Sequence, residues 1–174
     1  MKNIIKHDAK KTLAPLKLAT PSDLSEKARQ AVVTAINPLV ADCFALYVKT
    51  KNYHWHVSGS HYRDYHLLLD EQAAQVFAMI DILAERVRKL GGTTIRSIEQ
   101  ISHLQNVHDD NELYVAPQEM VRRLMNDNKA FAARLREAHK ICDDSNDVAT
   151  ASVLEVFIDE TERRTWFLYE VHTE

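Results

Sequence analysis

Histidines and carboxylates cluster where one helical sequence pattern ends and the next begins. His54 stands near the end of the first pattern, and His66 and Asp70 lie four residues apart in the second. Asp81 and Glu85 repeat this spacing farther along. At about 100° per residue, the four side chains of the second helix fall within roughly 100° of its circumference. They therefore form one stripe of side chains that can bind metal ions.

The two pairs on this stripe are too far apart to surround one metal ion within a single chain. Asp70 and Asp81 are eleven residues apart, which is about 16 Å along a helix axis. The stripe forms either two half-sites or parts of a site that a second copy completes. A two-fold axis near Gln75 and Val76 would set an antiparallel copy alongside. His54 could then complete a set of two imidazoles and three carboxylates, a mixture that suits iron.

The chain lacks the motif of the usual di-iron centre inside a helical bundle. Such centres use Glu-x-x-His pairs, and no glutamate here is followed three residues later by histidine. If iron is handled, an intrasubunit centre of this type does not handle it. Two other interpretations remain for the stripe: a hydrated helix face with incidental histidines, or a structural zinc site without turnover.

Helix breakers are scarce, which predicts long helices. The 174 residues include three glycines and four prolines, and this composition disfavours a fold of many short strands. The predicted helices run from Pro21 to about Val57, from Ser60 to Leu90, from Pro117 to about Cys142, and from an Asp147 cap to about Val171, with a short extra helix at Ile95–His103. The predicted fold class is all-α, a ferritin-type four-helix bundle whose long crossover carries the short helix.

Local signals set the ends of these helices. Thr20 followed by Pro21 predicts an N-cap with proline at the first helical position. Gly91 and Gly92 predict the C-terminal stop of the second helix. Pro38 should kink the first helix without ending it.

Charge is unevenly distributed between the amino terminus and the rest of the chain. Residues 1–17 carry a net charge of +4 from one aspartate and five lysines: Lys2, Lys6, Lys10, Lys11 and Lys17. This leaves −7 for the remainder of a chain whose net charge is −3. We expect residues 1–20 to form a flexible lysine-rich arm and residues 21–174 to form one bundle domain.

Composition further predicts a cytoplasmic protein. No segment resembles a membrane span, and residues 1–20 lack the apolar stretch of a signal peptide. Cys43 and Cys142 are too few for a disulfide framework and are expected to be packed thiols.

The motifs together resemble the signature of the Dps family, the mini-ferritins. The resemblance covers about forty residues at matching spacing, and helix order extends it over most of the chain. The matching residues are His54-Trp55, Gly59, His66-x-x-x-Asp70, Asp81-x-x-Ala84-Glu85-Arg86 and Leu90-Gly91-Gly92, with Trp166-Phe167-Leu168 in the last helix.

The resemblance implies a hollow dodecamer that oxidises Fe(II), usually with hydrogen peroxide in preference to dioxygen, and stores ferric mineral. It implies di-iron sites between subunits, with ligands from one chain (His54, His66 and Asp70) and from its partner (Asp81 and Glu85). Two Fe(II) ions supply the two electrons that reduce peroxide to water. Trp55 could intercept an escaping radical or simply pack at the helix end.

Other features carry weaker predictions. By resemblance, Asp143, Asp144 and Asp147 would line a three-fold pore for Fe(II). The alternative is that they cap the fourth helix and compensate its dipole. His56 and His61 lie near the site but are not predicted ligands.

The lysine arm could bind DNA phosphates without sequence preference, and repetition over twelve copies would add avidity. In that case the protein would associate with the nucleoid. A DNA-compacting protein with a secondary iron site is therefore the main alternative function. A haem-binding bundle is disfavoured because the four methionines show no pattern suited to haem.

Overall fold

The computed structural model describes residues 18–172 as helices and their connections. Its five helices are α1 (Glu26–His56), α2 (Tyr62–Lys89), α3 (Ile98–Leu104), α4 (Pro117–Asp144) and α5 (Val148–His172). The predicted all-α bundle, including the short helix in the long crossover, is confirmed.

Two helical hairpins make up the bundle. α1 packs along α2, α4 packs along α5, and α1 also contacts α4 and α3. The core is a continuous cluster of buried apolar side chains from the four long helices, for example Leu46, Leu83, Leu124 and Leu154. The α1–α2 hairpin thus presents the candidate ligands on a rigid support.

The start of α1 differs from the sequence prediction. The helix begins at Glu26, and its N-cap is Ser25, whose hydroxyl accepts a hydrogen bond from the amide of Ala28. The Thr20 hydroxyl instead donates a hydrogen bond to the backbone carbonyl of Arg88, 2.9 Å away at the end of α2. The Thr20 cap was wrong because this hydroxyl has a tertiary partner, and Ser25 offers an equivalent cap five residues later.

The other predicted boundaries lie close to those observed. α2 stops at Gly91, where a φ of 74° favours glycine. Pro117 opens α4, and Asp147 accepts a hydrogen bond from the Thr150 amide at the start of α5. α1 continues through Pro38.

A buried carboxylate fastens the crossover to the bundle. Asp42 on α1 is fully buried and accepts hydrogen bonds from the backbone amides of Asn106 and Val107. It also pairs with Arg134 of α4 at 2.7 Å. The segment after α3 is therefore held against both α1 and α4.

The expectation that no segment resembles a membrane span needs correction for α1. An 18-residue window in this helix has a mean hydropathy of 1.7, which is apolar enough by composition to span a membrane. In the fold, 56% of this window is buried inside the protein. The apolar run is therefore that of a bundle core helix.

Candidate metal centre

Two histidines hold each other in place at the junction of α1 and α2. Nδ1 of His54 lies 2.8 Å from the carbonyl oxygen of His66, and Nδ1 of His66 lies 2.9 Å from that of His54. A carbonyl oxygen only accepts, so both Nδ1 atoms carry the hydrogen. The rings stack with centroids 3.8 Å apart. Both Nε2 atoms are left with the lone pair that a metal ion requires.

Asp70 lies one helical turn beyond His66. Its Oδ1 atom is 3.9 Å from Nε2 of His54 and 2.7 Å from Nζ of Lys51. The hydrogen bond and charge of Lys51 lower the pKa of Asp70, which keeps this carboxylate ionised. Three of the five predicted ligands therefore come together within one chain, with a lysine as the present partner of the carboxylate.

Asp81 and Glu85 remain apart from these three side chains. Both are exposed on the second half of α2, and Glu85 pairs with Lys89 at 3.0 Å. Within residues 18–172, no group of three or more metal-binding side chains has the geometry to hold an ion. The donor types suit iron, but a single chain does not assemble them.

The polar side chains buried in the described part of the bundle do not form an alternative carboxylate centre. Its buried polar side chains include Gln72, Asn128 and Arg164, and the Arg164 guanidinium donates hydrogen bonds to Asn128 and Thr161. Among the described residues, no glutamate is buried. A buried cation at this position disfavours metal binding inside the subunit.

Both cysteines are buried and free, as expected of packed thiols. Burial raises the pKa of Cys142 to about 12, so this thiol stays protonated and is a poor metal ligand near neutral pH.

Aromatic and imidazole side chains surround the histidine pair. Trp55 is 64% exposed, and Nζ of Lys51 lies 6.0 Å from its ring centroid. Tyr62 stacks on His66 with centroids 5.1 Å apart. His56 is exposed, with Nδ1 2.7 Å from the carbonyl of Asn52, and His61 lies beside Tyr65.

Exposed apolar side chains flank the ligands on the same two helices. They are Val48 on α1 and Leu67, Phe77 and Ile82 on α2, each more than 40% exposed. Ala74 and Ala78 are also exposed between the two ligand pairs. Exposed apolar side chains gathered near a functional site are typical of a surface that another subunit covers.

The predicted pore acids divide into two kinds. Asp143 and Asp144 are exposed, and they belong to the end of α4 rather than to the start of the last helix. Asp147 is buried, pairs with Arg86 of α2 at 3.0 Å and hydrogen-bonds to Thr150. Its carboxylate therefore anchors α5 to α2.

Sequence reasoning missed the roles of Lys51 and Arg86. Lys51 had a local signal, since it precedes His54 by one helical turn. The Arg86–Asp147 pair had none, because it joins residues 61 positions apart. The predicted DNA-binding lysines all lie outside the described residues.

Comparison with known proteins gives the family. A model of the ferritin-like domain matches residues 33–174. A low temperature-induced protein of a Nostoc strain is 34% identical over 146 residues, which cover 83% of this chain and 82% of the relative. DNA protection during starvation protein 1 of Deinococcus radiodurans is 30% identical over 148 residues, 85% of this chain and 72% of the relative.

Solved structures agree with these relatives. Dps from Thermosynechococcus elongatus superposes with a TM-score of 0.82 at 26% identity, covering 85% of this chain and 94% of that chain. A Dps protein from Bacillus brevis gives a TM-score of 0.81 at 28% identity, covering 85% and 99%. The chain belongs to the Dps family of ferritin-like proteins.

Proposed function

We propose that this protein oxidises Fe(II) at sites shared by two subunits and stores the ferric product. The observation that carries the proposal is the split ligand set. His54, His66 and Asp70 are gathered with Nε2 atoms available, whereas Asp81 and Glu85 lie farther along the same helix. An antiparallel second copy across α2 is the simplest arrangement that unites them.

The ligand set supports redox turnover more than structural binding. Carboxylates accommodate Fe(III), and imidazoles retain affinity for Fe(II). Two Fe(II) ions held together give one electron each, which matches the reduction of hydrogen peroxide to two waters without release of hydroxyl radical. Zinc bound by the same side chains would compete with iron but would not turn over.

The surface around the ligands is consistent with a subunit contact. Its apolar side chains include Leu67, Phe77 and Ile82, and burying them would favour association. Exposed alanines lie between the ligand pairs, where the two helices would cross. A closed shell of twelve subunits is the assembly we propose.

The first experiment is anaerobic Fe(II) titration followed by one hydrogen peroxide per two Fe(II) ions. We expect rapid ferric absorbance in the wild type with little spin-trapped radical. The double variant Asp81→Asn/Glu85→Gln should oxidise iron no faster than buffer. The matched control Glu137→Gln/Asp159→Asn has the same charge change on exposed residues of α4 and α5 and should retain activity.

Two results would contradict the proposal. Equal activity in the Asp81→Asn/Glu85→Gln variant and the wild type would exclude these carboxylates as ligands. Tight binding of zinc with no peroxide consumption after Fe(II) loading would favour a structural metal site.

DNA association is a second candidate function. The lysine-rich amino terminus favours it, and the Deinococcus relative bears the name of a DNA protection protein.

Deletion of residues 1–17 should abolish DNA retardation in gels at low salt and leave iron oxidation unchanged. Because phosphate contacts release counterions, the affinity of the full chain should fall steeply with added salt. DNA binding that survives the deletion would contradict a role for the arm.

A further inference from the structure

A buried phenol on α1 has no role in the proposed iron chemistry. Tyr53 directly precedes His54 on α1 and is 1% exposed. Its side chain points to the crossover, where the hydroxyl donates a hydrogen bond to Oδ2 of Asp110. The phenol is therefore shielded from water and has a carboxylate as the acceptor for its hydrogen bond.

An arginine side chain and a backbone amide hold the carboxylate of Asp110 in place as an acceptor. Nη1 of Arg123 lies 2.7 Å from Oδ2, and the Glu112 amide donates to Oδ1 at 3.0 Å. The Asp110 side chain is only 4% exposed. Since the carboxylate is ionised and oriented, it can receive the phenol proton without rearrangement of the backbone.

One-electron oxidation is the chemistry that such a pair supports. Loss of an electron makes a phenol proton strongly acidic, so oxidation in a dry site requires an acceptor already in contact. Trp55 differs in this respect, because its 64% exposed ring leaves a radical open to solvent. Tyr53 offers a protected location for the oxidising equivalent.

We propose that Tyr53 and Asp110 form a redox-active pair that captures the hydroxyl radical formed when a half-filled site reacts with peroxide. This inference rests on the proposed function, since the radical arises from one Fe(II) and one hydrogen peroxide. The radical takes one electron from Tyr53 and becomes hydroxide. The phenol O–H bond breaks, and the proton forms an O–H bond on Asp110.

The tyrosyl radical is then reduced by iron. A second Fe(II) ion gives one electron to the tyrosyl radical and becomes Fe(III), and the proton moves back from Asp110 to the phenolate oxygen. Arg123 favours this return, because its guanidinium, 2.7 Å from Oδ2 of Asp110, stabilises the ionised carboxylate. The pair thus converts a damaging radical into one further turn of iron oxidation.

The test is electron paramagnetic resonance of samples frozen after peroxide is added to protein with one Fe(II) per site. The wild type should show a tyrosyl signal whose hyperfine structure collapses when ring-deuterated tyrosine is incorporated. Tyr53→Phe removes only the hydroxyl and should reduce this signal to background while spin-trapped hydroxyl radical rises. Asp110→Asn should weaken the tyrosyl signal, because an amide oxygen is a poor proton acceptor.

Tyr114→Phe and Tyr169→Phe are the matched controls, since both phenols are exposed. Both should retain the signal. An undiminished tyrosyl signal in Tyr53→Phe, or no tyrosyl signal in wild type that forms Fe(III), would overturn the inference and leave the proposed function standing. Absence of Fe(III) in the same wild-type sample would remove both.

Discussion

The two histidines illustrate how backbone contacts select a metal-binding tautomer. Each Nδ1–H donates a hydrogen bond to the carbonyl of the other histidine. The lone pair of each Nε2 is therefore available to bind a metal ion. The spacing of His66 and Asp70 could be predicted because helical periodicity is local. The reciprocal contact could not, because it depends on how the α1–α2 turn folds back.

Lys51 competes with metal ions for Asp70. Replacing it by Met in Lys51→Met removes a partly exposed ion pair, so redox-inert Zn²⁺ should bind to the histidine site about 2- to 5-fold more tightly at neutral pH. Competition titration against a chromophoric chelator would measure the dissociation constant. Lys129→Met, at an exposed position on α4, is the control and should leave it unchanged. Weaker zinc binding in Lys51→Met would show that Lys51 organises the site instead.

The helices were largely predictable because their breakers are few and lie at their ends. Pro117 and Gly91 act through backbone geometry that the sequence specifies directly. The start of α1 was not predictable in the same way, since Thr20 and Ser25 are both good caps and only the packing of Thr20 against the end of α2 distinguishes them.

The contacts of Asp42 predict that this one side chain contributes strongly to the stability of the fold. Asp42→Ala leaves the amides of Asn106 and Val107 and the Arg134 guanidinium without their buried partner, which should lower the free energy of unfolding by about 3–5 kcal/mol. Chemical denaturation followed by circular dichroism would measure the loss. Glu26→Ala, at the exposed start of the same helix, should change stability by less than about 1 kcal/mol. Equal, small effects of both substitutions would contradict the anchoring role of Asp42.

Asp147 and Asp143 should behave differently when replaced. Asp147→Ala removes the N-terminal cap of α5 and the partner of Arg86, so it should destabilise the fold by at least about 2 kcal/mol. Asp143→Ala changes an exposed carboxylate, and if Asp143 lines an entry pore it should slow iron uptake with little effect on stability. Thermal melts and stopped-flow iron uptake separate the two. If the Asp147→Ala protein were as stable as the wild type and took up iron slowly, Asp147 would have a role in the pore instead.

For the whole molecule, the arrangement of subunits determines whether the site exists. A single chain gathers three ligands and leaves Asp81 and Glu85 exposed on α2, beside the apolar side chains of Phe77 and Ile82. The sequence predicted the incompleteness from the eleven-residue separation alone. The sequence could not predict which surface a second subunit would cover. That surface depends on tertiary packing, which leaves Phe77 and Ile82 outside the core.

Complementation between two inactive subunits tests the shared site most directly. One subunit carries His66→Ala/Asp70→Ala, the other carries Asp81→Ala/Glu85→Ala, and the two are co-expressed with different tags. Each alone should lack peroxide-dependent iron oxidation. A two-fold pair of unlike subunits contains one site with all five ligands, so random assembly of equal amounts should restore about a quarter of wild-type activity. Co-assembled particles with no activity above that of either parent would contradict a site shared between subunits.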